Sequence, residues 1–154
     1  MKKLILAATL ALTALAIPAA ASAHNGPPVD VFTDTVTGSA VVPFQGPCGG
    51  APGSVAVEFH DVFHVTAFAD GHLNVVGNQT GTFEFEPNDP NEPSSSGRYR
   101  QAFRDGSAQN GAQFHTTFTA NGRFDDGSKL QFTVKSTIVV SNGEIRVDRM
   151  DVSC

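Results

Sequence analysis

Five polar side chains stand where strand alternation would turn them into an apolar interior: Asp61, Gln79, Gln101, Thr116 and Ser136. A buried polar group left without a partner costs about 1–3 kcal/mol. Such residues therefore either satisfy one another or meet a ligand. Set among Phe59, Phe63 and Phe118, they describe a pocket with apolar walls and a few polar anchors. Mutual hydrogen bonding, or a buried water, is the plainer outcome. Of the five, Asp61 alone could act as a general acid or base. Asp61–Gln79 and Thr116–Ser136 each fall midway along a hairpin, which predicts one polar belt at mid-height.

Other chemistry is poorly served. His60 and His64 share an outer face with Glu58, but four residues along a strand span roughly 13 Å, too far for one metal ion. His115 also faces outward. His24 would begin the mature chain and could chelate copper only with a second histidine nearby. No metal and no cofactor is expected. Arg98, Arg100 and Arg104 line one strand face; in an acidic chain they read as offsetting neighbouring acids or blunting a sheet edge, and otherwise as an anion-binding stripe. No Gly-x-Ser-x-Gly motif occurs, and Cys48 and Cys154 are committed to each other. Asp34 and Asp151 aside, Asp61 is the single inward acid, so the two carboxylates of glycoside chemistry are lacking.

The elements that must position these residues are strands. In residues 55–69 the odd positions Val55, Val57, Phe59, Phe63 and Val65 are apolar, and the even ones mix Glu58, His60, His64 and Thr66 with smaller residues. Residues 73–85 repeat this period of two. A three-residue loop at Ala69-Asp70-Gly71 pairs Val57 with Phe83, Phe59 with Gly81, Asp61 with Gln79, and Phe63 with Gly77. A slip of one residue would put Phe59 and Phe63 in water, so the register is strongly specified. Residues 112–124 and 128–141 form a second such hairpin around Asp125-Asp126-Gly127, pairing Ala120 with Phe132, Phe118 with Val134, and Thr116 with Ser136. Asn142-Gly143 signals a type I′ turn that sets Val140 against Ile145 and Ile138 against Val147. Beyond Val147 the phase fails, which predicts a bulge near Asp148–Arg149 returning Met150 and Val152 inward. Residues 29–44 read as one bent strand or two short ones, 98–104 as a shorter strand, 87–97 as the longest loop, and 105–111 as a loop.

No apolar spacing of three and four occurs in the mature chain, so helix is nearly absent. The pattern predicts an all-β fold: an antiparallel up-and-down meander of seven or eight strands closed into a β-barrel, with a β-sandwich as the alternative.

The first 23 residues read as a signal peptide: Lys2 and Lys3, an apolar run over 4–17, and small residues at Ala21-Ser22-Ala23. Residues 24–28 are a flexible leader and 29–154 one domain. Removing the signal peptide leaves eight basic residues against 15 acidic, a charge of −7. That balance argues against nucleic acid and anionic membranes as partners. No second long apolar run exists, so no membrane anchor is expected. Twelve Phe, one Tyr and no Trp suit sheet interiors. Two cysteines in an exported chain predict a Cys48–Cys154 disulfide, with first and last strands tied at one rim.

The pattern around Phe68-Ala69-Asp70-Gly71-His72 and the terminal Cys154 resembles small secreted β-proteins of actinobacterial type. The barrel reading is similar to lipocalins and to the allene oxide cyclase and dirigent barrels. The lipocalin Gly-x-Trp signature is impossible without Trp, and no functional residue is carried over. The expectation is a secreted barrel that binds a small, partly apolar ligand inside, anchored by Asp61 and Gln79. An isomerase or cyclase using Asp61 is the second reading. An extracellular protein-interaction module with a solid core is the third.

Overall fold

A computed structural model describes residues 27–108 and 111–154. The signal-peptide and His24 readings lie outside the described residues, as does most of the leader. Seven antiparallel strands form one sheet in chain order: β1 (Pro28–Gln45), β2 (Pro52–Phe68), β3 (Leu73–Pro87), β4 (Ser95–Ala108), β5 (Gly111–Phe124), β6 (Lys129–Ser141) and β7 (Glu144–Ser153). No described segment is α-helical.

The two central hairpins have the predicted registers. Asp61 faces Gln79 and Phe63 faces Gly77 across β2–β3. Ala120 faces Phe132 and Thr116 faces Ser136 across β5–β6. Their turns share one chemistry, written twice as Phe-x-Asp-Gly-(His/Ser). Gly71 and Gly127 take φ of 86° and 85°, which a Cβ would oppose. Asp70 accepts from the His72 amide at 3.2 Å, and Asp126 from the Ser128 amide at 2.8 Å. Asn142 and Gly143 both have positive φ, as a type I′ turn requires.

β1 is a single strand of 18 residues, the first of the two alternatives read for 29–44. Two other boundaries differ from the sequence reading. β4 reaches back to Ser95 and on to Ala108, because Ser95, Ser96 and Gly97 pair with β3 on one side and β5 on the other. Two ladders outweigh the turn-like composition there, and Asp105-Gly106 lies within the strand. The bulge in β7 falls at Arg146, where Ile145 faces Val140 and Val147 faces Val139. It still returns Met150 and Val152 to the inward phase, opposite Ser136 and Val134, and turns Arg149 and Asp151 outward.

The sheet is not closed into a barrel. No ladder among the described residues joins β7 to β1. The reason is parity: in a seven-strand meander β1 and β7 run in the same direction, so closure would need a parallel ladder. The sheet curls instead. On a flat sheet, six inter-strand steps would separate β1 and β7 by roughly 29 Å. Yet Cys48, just after β1, and Cys154, just after β7, form a disulfide with Cα atoms 6.3 Å apart. Val55 of β2 and Phe132 of β6 share one buried cluster with Val57, Phe83, Tyr99 and Ala120. That core lies at the disulfide end. Toward the other end the edges stay open, and Phe32 of β1 is 47% exposed although its phase is inward.

Packing inside alternates large and small across strands. One row in register reads Gly38, Phe59, Gly81, Tyr99, Ala120, Phe132. A Cβ at Gly38 would lie 2.7 Å from the Phe59 ring, and one at Gly81 2.8 Å from the Tyr99 ring. Each ring therefore lies over the glycine of the strand beside it, which protects the backbone and fixes the ring's direction.

Candidate functional site

Three parts meet at the disulfide end: the inner faces of β1–β6, the β1–β2 connection, and the β3–β4 connection. They line a partly open cavity of about 320 Å³. Its walls include Phe44, Val55, Phe83, Phe118, Leu130 and Phe132, and Gly46, Gly49, Gly50 and Ala51 fold over it beside Cys48. Three rings stack in succession from β4 to β6. Tyr99 and Phe118 have centroids 5.3 Å apart, and Phe118 and Phe132 5.7 Å. Phe44 meets Phe85 edge-on at 5.9 Å. The lining carries one charged side chain, the exposed Glu92.

A polar chain runs behind this wall. The Tyr99 hydroxyl donates to Gln79 Oε1 at 2.9 Å, and Gln79 Nε2 donates to Asp61 Oδ2 at 3.0 Å. Tyr99 is 3% exposed and Gln79 4%. Asp61 Oδ1 is buried and has no hydrogen-bond partner among the described residues. Burial pushes the Tyr99 phenol up to about 12, with the Asp61 charge adding to the effect. The Tyr99 ring lines the cavity while its hydroxyl ties the wall to this chain.

The predicted site residues divide accordingly. Phe118 lines the cavity, and Phe59 packs against its core. Gln79 and Asp61 do pair, but they stand behind Tyr99 and not in the lining. Gln101 lies opposite both Gln79 and Phe118 in register. Thr116 and Ser136 fall in the next row, with Phe103, Gly77 and Phe63. The single polar belt is thus corrected to two rows. Register fixes this, because β4 sets Gln101 against Phe118 and not against Thr116.

Sequence reasoning missed Tyr99, Phe83 and Phe132 as site residues. Phe83 and Phe132 fall in the apolar phase of the two hairpins; what the pattern lacks is which end of the sheet the connections cover. Away from the cavity, Asp105 sits partly buried on β4, and burial raises its carboxyl to about 6, with the nearby His115 pulling the other way. On the outer face His64 bonds Thr33 at 2.9 Å and His115 bonds Thr137 at 3.1 Å. No family model, curated protein or solved structure matches this chain.

Proposed function

We propose that this is an exported all-β protein that holds a small, largely apolar ligand in the cavity at its disulfide end. The observation that carries the reading is the cavity itself: about 320 Å³, walled by phenylalanine rings, in the size range of small-molecule sites. The Cys48–Cys154 disulfide is compatible with an extracellular location. The Tyr99–Gln79–Asp61 chain serves this site by fixing the Tyr99 ring that forms its floor. Asp61 is a support in this reading. A cyclase or isomerase would need its acid or base at the ligand, and the sole carboxylate in the lining is that of Glu92.

The test uses the only tyrosine in the chain as a reporter, since Tyr99 lines the cavity and there is no Trp. Protein purified from its host should carry extra mass in native mass spectrometry, and the stripped protein should bind Nile red with a change in Tyr99 emission. Ala120 is 1% exposed and borders the cavity, so Ala120→Leu should fill part of it and weaken Nile red binding about tenfold. An unloaded native protein whose stripped form ignores Nile red would refute the reading.

A further inference from the structure

The opposite face of the sheet carries a second, independent feature. Residues 24–154 contain eight basic side chains, and six of them share the outer face of β4–β6. These are Arg98, Arg100 and Arg104 on β4, Arg123 on β5, and Lys129 and Lys135 on β6, all exposed. No outward position of these three strands is an acid. Among the described residues none of the six makes an ion pair; Arg123 donates to the Gly127 carbonyl at 3.1 Å.

Both structural explanations for the β4 arginines fail. β4 is the central strand of seven, so the arginines blunt no edge. Their cross-strand neighbours are Thr82, Thr80 and Val76 on β3 and Asn121, Thr119 and His115 on β5, so they offset no adjacent acid. Acids border the face. Glu84 faces Ser96; Asp125 and Asp126 lie in the turn between Arg123 and Lys129, where they accept from Ser94 and Ser128; and Asp151 faces Lys135 but is held by Arg149 at 2.9 Å. Arg123 and Lys129 stand directly opposite each other, a like-charge pair that weakens a sheet. Six cations gathered on one face of a chain of charge −7 carry a folding cost that an anionic partner would relieve.

We propose that this face binds an acidic polysaccharide. The chemistry is complementary at each level. Arginine forks donate two parallel hydrogen bonds to a carboxylate or sulfate. Arg98 and Arg100 are two residues apart, roughly 6.8 Å along the strand, so the charges form a ladder rather than a point. Thr117, Thr119, Asn121, Gln131 and Thr133 lie between the cations and offer hydrogen bonds to sugar hydroxyls. His115, bonded to Thr137, is the one ring at a described outward position of β4–β6, so unpaired bases have no run of rings to stack on. Ala102 and Val139 are the apolar side chains among the described ones there, too few to enter a bilayer.

The full mature chain should be retained on immobilised alginate (carboxylate) or heparin (sulfate) at low ionic strength, despite its net negative charge, and be released by salt. Which matrix holds it more tightly distinguishes the two anions. Arg98→Gln/Arg100→Gln/Arg104→Gln should lower affinity at least tenfold, and Lys129→Gln/Lys135→Gln should lower it by a separate route. Arg146→Gln on β7, whose partner is Glu144 at 2.8 Å, should leave it unchanged. Circular dichroism checks that each variant is folded. Passage of the wild type through both matrices would overturn the proposal. So would equal loss in the β7 variant, or equally tight binding to duplex DNA or to phosphatidylglycerol vesicles.

Discussion

Tyr99 belongs to the cavity by its ring and to the buried polar chain by its hydroxyl. Removing the hydroxyl separates the two roles. Tyr99→Phe keeps the stacking on Phe118 and strands Gln79 Oε1, a buried acceptor, so stability to urea should fall by about 1–3 kcal/mol. The same group gives a pH signature. Its folded value of about 12 exceeds the ordinary 10.0, so the folded state keeps the proton longer than the unfolded chain does. The stability this confers is complete below pH 10 and is lost as pH rises through about 12. As the sole tyrosine, it can be followed by phenolate absorbance, which should appear near pH 12 when folded and near 10 in denaturant. Coincident titrations would show that the phenol is not buried. At this scale the sequence disclosed Asp61–Gln79, because directly opposed residues follow from register alone. It hid Tyr99–Gln79, a diagonal contact that exists only because the ring crosses Gly81.

Strands pair as they do here because rings and glycines alternate, so glycine substitutions should divide into costly and harmless ones. A Cβ at Gly77 would collide with the Phe103 ring and sit 2.9 Å from Phe63 Cβ. At Gly106 the nearest atom would be Asn74 Oδ1, at 3.4 Å and on a flexible side chain. Gly77→Ala should cost about 1–3 kcal/mol through overpacking, while Gly106→Ala stays within about 0.5 kcal/mol, both read from urea midpoints. Adding Phe103→Leu to Gly77→Ala should recover part of the loss, a coupling that a purely local backbone effect would not show. Registers were legible where one phase is apolar and the other polar, as in β2 and β5. The β7 bulge was not placed correctly because β6 ends in Ile138-Val139-Val140, apolar on both faces, where a slip of one residue exposes nothing new. The phase error announced that a bulge exists; the flat pattern around it concealed where.

Closure was the least legible property, since alternation fixes what each strand presents and not whether first and last strands meet. Here they meet through one covalent bond. β7 has a single paired neighbour, and all ten of its residues are exposed. The Cys48–Cys154 bond spans a sequence separation of 106, so in the chain-entropy model it stabilises the fold by about 4–5 kcal/mol. Cys48→Ala/Cys154→Ala, or reduction, should therefore lower the urea midpoint by that equivalent. The loss should be uneven in space. Amide exchange should quicken first in β7 and in residues 46–51, and least across the β2–β3 ladder, which neither end of the bond touches. Because Gly46, Gly49, Gly50 and Ala51 also line the cavity, ligand affinity should fall in the reduced protein even where most of the sheet remains folded. An unchanged midpoint on reduction, or exchange that quickens evenly along the chain, would mean that the curl of the sheet is held by its packed rings alone and that the bond only records it.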